Sequence, residues 1–497
     1  MSINNCKNIF LFIILAELLS FLGYFYQGVN FLAFFGIALL TLILSLSRLK
    51  YGLYILLAEL FTGSFGYLFY FESGGLKISL RLALWLIVMS VWLAKTLLEW
   101  IKTKKLSIIF FKSSYFSYFL ILFIFIAWGV VNGLANKNSF GNLFFDFNNW
   151  FYWLLIFPLF EFARDEGNLK IIKQIFLASI SWLSLKTLLL AYFFSHSFNY
   201  FTLDLYRWVR LSGVGEITQI VPGFSRVFMQ SHIFVLIGFF ILLFYLLKLT
   251  IEQKTNNKKI FTFNFSLSTL FLSAIITSFS RSFWLGLAAG GLFVWLVAIY
   301  KLKIKLKQFI VFNLSVLAVI ILSLGLTAAV VKFPYPSPSG EFDAANLLES
   351  RATAVAGEAG ASSRWQLLPP LWQKIKTSPL FGQGFGATAT YQSSDPRILA
   401  ANPKGEYTTY AFEWGWLDIW LKLGIFGLLA YLILFAKIIR DGLKNNSYLS
   451  LSLTAGLIVL AAVNISSPYA NHPLGIGYLI IAAAMMDSCA NSKYPVY

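Results

Sequence analysis

Long apolar runs are the feature that most constrains this chain. Stretches of about twenty mainly apolar residues recur between 9 and 488, separated by short polar segments. A run of that length crosses roughly 30 Å of hydrocarbon as a helix. In lipid a helix also satisfies its own backbone polar groups, which open sheets and loops cannot do. The candidate spans are 9–27, 30–46, 52–71, 79–98, 116–135, 147–163, 174–194, 231–249, 262–279, 283–300, 308–331, 414–436, 447–465 and 473–488. Several are separated by very short turns, so twelve or thirteen spans fit the same pattern. The expected fold class is therefore all-α, a polytopic membrane protein with about 12–14 transmembrane helices. Composition agrees, with 58% hydrophobic and only 12% charged residues, against about 25% charged in soluble domains. No Ala-x-Ala site follows the first run, so 9–27 reads as a retained span. Cys6 and Cys489 stand near opposite ends, which excludes a disulfide framework and a closely spaced metal pair.

The net charge of +18 is distributed in a pattern. Alternate loops carry Arg48 and Lys50; Lys102, Lys104, Lys105 and Lys112; Arg164, Lys170 and Lys173; Lys248, Lys254, Lys258 and Lys259; Lys301, Lys303, Lys305 and Lys307; and Lys437, Arg440 and Lys444. Under the positive-inside rule that set is cytoplasmic, and both termini fall with it. This distribution marks membrane topology rather than nucleic-acid binding. Two large segments remain outside, 196–230 and 333–411. The expected organisation is N-terminal helices 1–200, central helices with an arginine-bearing outer loop 201–332, a large outer loop 333–411, and C-terminal helices 412–497. Within that loop, the Ala/Gly/Ser-rich run 353–363 reads as loop, and 364–377 as a short amphipathic helix at the interface.

The outer segments favour arginine where the cytoplasmic loops favour lysine. Arg207, Arg210 and Arg226 lie in the first, Arg281 in the short turn 279–282, and Arg351, Arg364 and Arg397 in the second, beside Lys374, Lys376 and Lys404. A guanidinium is a planar donor fork that grips phosphate bidentately, whereas an ammonium is a hydrated point charge. Arginines beside the outer headgroups suit a lipid diphosphate. The competing assignment pairs them with lipid phosphates or with local acids such as Asp204, Glu216 and Glu341.

Three stretches are similar to the O-antigen ligase/polymerase superfamily. They are Gly223-Phe-Ser-Arg-Val-Phe-Met-Gln-Ser-His232; Ser278-Phe-Ser-Arg-Ser-Phe-Trp-Leu-Gly286; and Ser363-Arg-Trp-Gln followed by Pro379-Leu-Phe-Gly-Gln-Gly-Phe-Gly386. The resemblance covers roughly 220–430; the first 200 residues match only as a row of spans. It implies a GT-C-like membrane enzyme, an inverting glycosyltransferase that needs neither metal nor cofactor. The donor would be a glycan on a polyprenyl diphosphate, held by Arg226, Arg281 and Arg364, with Arg210 close by. Arg281 would also stabilise charge on the leaving group. The family's ligases place a His eleven residues before a Gly-Ile-x-Gly motif. Here that motif is Gly424-Ile-Phe-Gly427, and 424 − 11 = 413 falls on Glu413. A carboxylate can also accept a proton from a sugar hydroxyl, although an acid there equally suits the N-terminus of a helix. This departure leaves ligase and polymerase both open.

Other residues carry weaker signals. Gly382, Gly384 and Gly386 look like a dinucleotide fingerprint but lack the βαβ context, so a tight glycine turn is the better assignment. His232 follows the first motif and His472 lies in the turn Asn471-His-Pro473; either is an accessory candidate or a solvated surface residue. Tyr407 and Tyr410 could line an acceptor groove or anchor at the interface. Glu17, Glu59 and Lys186 fall inside spans, and Lys186 is a partner for either glutamate. A transporter or flippase would show internal repeats and charges near the midplane, whereas here the arginines gather at one boundary. A scaffold without catalysis would not need arginine at all three motif positions. The acceptor stays open among lipid A core, a growing glycan, a protein side chain and a cell-wall polymer. No nucleic-acid partner is expected.

Overall fold

A computed structural model describes residues 3–198, 201–252, 258–340, 359–445 and 447–491. Glu341, Arg351 and most of the Ala/Gly/Ser-rich run 353–363 lie outside them. The protein is a mainly helical bundle. Among the described residues, ten helices are long and apolar enough to cross a membrane, and two shorter apolar helices, Tyr448–Val463 and Pro473–Cys489, join them. The chain is a multi-pass membrane protein.

Burial sorts the helices. His232–Ile251 is 83% buried and forms the centre of the bundle, whereas Cys6–Phe25, Gln27–Ser47 and Leu306–Val331 are 22% buried. The peripheral helices present Phe12, Leu15, Leu32, Ile43, Leu314 and Ile321 outward, which suits contact with lipid chains rather than water. The centre packs Phe234, Leu236, Phe240 and Leu247 against Leu457, Leu460 and Ile275, all buried.

The expected spans 147–163 and 52–71 are not single helices. The run 147–163 divides into a helix ending at Asn148, a 3-10 segment Asn149–Leu155 and a short helix Ile156–Phe162. Paired asparagines followed by a Trp/Phe/Tyr cluster interrupt regular winding there, and Trp150, Tyr152 and Trp153 become core. The run 52–71 ends as helix at Thr62. Ser64 and Gly66 then take left-handed backbone angles, φ 52° and 91°, which turn the chain into a hairpin pairing Tyr70–Ser73 with Leu76–Ser79. Two further hairpins pair Glu216–Val221 with Phe224–Phe228 and Ala389–Gln392 with Glu406–Thr409. Gly74 and Gly75 turn the first hairpin and Gly223 the second, with φ 57°, 81° and 77°, the positive values that tight hairpins require; the expectations from sequence include no strands here.

The charges inside the spans find partners. Lys186 Nζ lies 2.6 Å from Glu17 Oε1. Glu59 instead holds Arg81 bidentately, at 2.8 and 3.0 Å, and Arg81 also donates to the Ser64 carbonyl at 2.6 Å.

Candidate functional site

Arg226 stands on the second strand of the Glu216–Phe228 hairpin, opposite Thr218. Its guanidinium lies over the Phe228 ring, 5.3 Å from the centroid, and its Nε has no hydrogen-bond partner among the described residues. The hairpin sits on the serine–arginine–serine turn. Phe224 meets the Phe279 ring at 5.6 Å and Phe228 meets Phe283 at 5.7 Å. Phe279 has φ 48°, a conformation that a bulky residue adopts only when its surroundings compel it. Packing against Phe224, Val331 and Trp284 compels it here. The turn ends with Ser280 Oγ 3.0 Å from Ser282 Oγ, and Arg281 opens the helix Arg281–Leu296. The first two motifs are thus one packed unit.

Arg364 belongs to the loop helix Ala359–Thr377, which starts five residues before the expected 364 and continues through Pro369 and Pro370. Its electrostatic surroundings tie it to the other motifs. Burial lowers the Arg364 pKa first, and the charges of Arg226 and Arg281 lower it further, with Glu216 opposing. Burial also lowers that of Arg226; Glu216 opposes, and Arg281 and Arg210 add to the fall. Guanidinium groups start so far above neutrality that all remain charged. Arg210, Arg226, Arg281 and Arg364 therefore share one positive neighbourhood. Glu216 balances it in part, 3.5 Å from Arg210, while Asp204 accepts from the Tyr24 hydroxyl at 3.3 Å.

Glu413 is brought to the same place. Its carboxylate is ion-paired with Arg364. Trp414 donates its indole N–H to the Arg364 carbonyl at 3.0 Å, and its ring meets Trp365 edge-on at 5.4 Å. Buried Leu367, Leu371 and Ile375 of the loop helix pack with Phe412 and Leu421, which fixes the helix against the segment carrying Glu413.

The glycine turn has a structural task. The helix Gly415–Lys444 is broken at Gly424, φ 74° and ψ 177°. The break frees the carbonyls of Leu421 and Lys422, which accept from the N–H groups of Gln383 and Gly384 at 2.6 and 3.2 Å. Ile425 N–H in turn donates to the Pro379 carbonyl at 2.9 Å. Gly382, Gly384 and Gly386 have φ 75°, 78° and 77°, and a Cβ on Gly384 would come within 2.0 Å of the Gly133 nitrogen. The repeated glycines serve backbone-to-backbone docking into a broken helix.

The remaining candidates have other partners. His232 is fully buried at the start of the central helix. Its Nδ1 accepts from the Met229 N–H at 3.2 Å and its Nε2 lies 2.7 Å from Thr187 Oγ1. Both ring nitrogens are engaged in the core, so His232 is not a solvated surface residue. His472 is not a solvated turn residue: it meets the Phe65 ring edge-on at 5.9 Å. Burial, with the Arg81 charge adding, lowers its pKa to about 3, too low for a base at neutral pH. Tyr410 has its pKa raised by burial first, then by Asp146.

Asp146, Asp418 and Lys422 escaped the sequence reading. Lys422 Nζ lies 2.5 Å from Asp146 Oδ1 and 2.6 Å from Asp418 Oδ1, all three buried. The signal was present, since Asp418 and Lys422 interrupt the apolar run 414–436 at i,i+4 spacing.

Residues 263–432 match the model of a family described as O-antigen ligase. The matched segment contains Arg281, Arg364, Glu413 and the broken helix at Gly424, and leaves Arg210 and Arg226 upstream. No curated protein matches the chain.

Proposed function

Since the chain belongs to the O-antigen ligase/polymerase superfamily, we propose that it transfers a glycan from a polyprenyl diphosphate to an acceptor hydroxyl at the outer face of the bacterial inner membrane. The N- and C-termini face the cytoplasm in this reading, as the loop lysines require. One observation carries it: Arg226, Arg281 and Arg364, one from each of three separate motifs, share a single electrostatic neighbourhood, with Arg210 acting on Arg226.

In the proposed reaction Arg226, Arg281 and Arg364 hold the diphosphate, with Arg210 at the rim. The acceptor oxygen attacks the anomeric carbon opposite the leaving group, so the product has inverted configuration. The anomeric C–O bond to phosphate breaks as the new C–O bond forms, and the electron pair leaves on the diphosphate. The guanidinium groups neutralise that charge, which replaces the role a metal ion has in other phosphate-leaving reactions. Glu413 takes the acceptor proton. Its pairing with Arg364 is then the resting arrangement. Diphosphate oxygens compete for the Arg364 fork and release the carboxylate for the hydroxyl.

A polymerase, extending a glycan chain rather than capping a lipid A core, uses the same donor chemistry. Glu413 in place of the ligase histidine favours keeping that second reading. The test is the purified protein in lipid vesicles with polyprenyl-diphosphate glycan and a mixture of acceptors. Release of polyprenyl diphosphate coupled to a new glycosidic product is expected, and its mass identifies the acceptor. Vesicles that only move the lipid-linked glycan across the bilayer would support a flippase instead.

A further inference from the structure

Three separate parts of the chain meet at Lys422. Its ammonium bridges Asp146, on the helix Phe140–Asn148, and Asp418, one turn earlier on its own helix. Asp146 uses its other oxygen to accept from the Gly386 N–H at 2.9 Å, at the end of the glycine turn. The Lys422 carbonyl accepts from Gly384 in the same turn. Asp418 also accepts from the Asn471 amide, and its N–H donates to the Trp414 carbonyl at 2.8 Å. Trp414 donates to the carbonyl of Arg364, whose side chain pairs with Glu413. A short series of bonds therefore leads from the buried ammonium to the proposed base and its arginine.

Burial of two carboxylates and one ammonium is a poor route to stability, because desolvation offsets most of the attraction and an apolar cluster of equal volume serves as well. The same groups give direction, since each bond here fixes a different segment. We propose that Lys422, with Asp146 and Asp418, positions the Glu413–Arg364 pair, holding the glycine turn, the helix Phe140–Asn148 and the start of the helix Gly415–Lys444 in one register. This inference rests on the glycan-transfer reading for its catalytic consequence, and on geometry alone for its structural one. Lys422 is a positioning residue and touches no substrate.

Lys422→Met is the direct test, beside Lys422→Arg and the triple variant Lys422→Met/Asp146→Asn/Asp418→Asn, which leaves no buried charge to disturb folding. Small misplacement of reacting groups costs about 10²-fold in rate. Lys422→Met is expected to lower kcat by that order while donor KM stays near wild type, the signature of lost transition-state geometry. Lys422→Arg restores part of kcat, and the triple variant folds but stays slow. Amide hydrogen exchange, measured without substrate, rises over 379–386 and 411–414 in Lys422→Met and in the triple variant. Wild-type kcat in Lys422→Met, or its full recovery in the triple variant, overturns the catalytic consequence. Unchanged exchange in both segments overturns the positioning itself. If the wild-type protein makes no product yet exchange rises as stated, the transfer reading fails and the positioning stands.

Discussion

The Arg364 guanidinium is ion-paired with the Glu413 carboxylate, 49 residues further along the chain. One partner comes from a loop helix and the other from the residue pair that precedes a membrane helix. The pairing separates two roles that substitution can test. Glu413→Gln keeps the size and removes the proton acceptor. Transfer is expected to fall by about 10² to 10⁴-fold, with polyprenyl-diphosphate binding retained. Steady-state kinetics and a donor-binding titration check both halves. Full activity in Glu413→Gln would remove the carboxylate from the mechanism.

The arginines predict a different pattern. Arg226→Ala and Arg281→Ala each remove a cation from the proposed leaving-group site, and a loss of about 10² to 10³-fold in kcat is expected for each. Donor binding should weaken as well. Arg226→Lys should recover only part, because a point charge replaces a fork. A fluorescence-detected size-exclusion profile establishes that each variant remains folded. Wild-type turnover in Arg281→Ala would dismiss the diphosphate role of that residue.

Gly424 offers a test of the broken helix. Its φ is 74°, and a Cβ would lie 2.1 Å from the Leu380 carbonyl oxygen. Gly424→Ala is expected to destabilise by about 1–3 kcal/mol, the usual cost of a strained non-glycine backbone. It should also loosen residues 379–386, seen as faster proteolysis there. Gly325, in an ordinary helix with open space around it, provides the contrast. Gly325→Ala should be neutral or stabilising by up to about 1 kcal/mol.

These examples show which parts of the molecule a sequence can disclose. Span positions were legible because apolar composition over twenty residues is a solvent requirement, and solvent acts on each segment separately. The arginine-bearing segments stood out because they carry arginine where the other loops carry lysine. The run 147–163 was misread because composition is blind to winding: Asn148 and Asn149 allow a 3-10 segment whose aromatics face the core. The glycine turn was recognised as a turn, but its partner, the gap at Gly424, exists only once two distant backbones meet. His232 looked available because sequence gives no partner list, whereas Thr187 and Met229 occupy both nitrogens. Lys422 was visible as a charge in a span; that it joins Asp146, 276 residues away, was not.

Arg81 and Glu59 predict a stability effect separate from catalysis. Both side chains are about 5% exposed and bonded at 2.8 Å. Arg81→Leu leaves a buried carboxylate without its partner, which costs about 3–5 kcal/mol. A thermal melt in detergent should show the loss. The double variant Glu59→Leu/Arg81→Leu removes both charges and should recover much of it.

His472 gives the pH dependence. Its pKa falls from 6.5 to about 3 in the folded protein, chiefly through burial and then through the Arg81 charge. The folded state therefore keeps the ring neutral, while the unfolded chain takes up a proton below pH 6.5. Folding stability from this group is fully present above pH 6.5 and declines as the pH falls toward 3, because the unfolded state binds the extra proton throughout that window. Carboxylates titrate in the same range, so the contribution is isolated by comparison with His472→Gln, whose side chain does not titrate. Thermal melts between pH 7.5 and 4 should show a shallower decline for the variant, with the two curves diverging only below about pH 6.5. Parallel curves would mean that the ring is protonated as readily in the folded protein as in the unfolded chain.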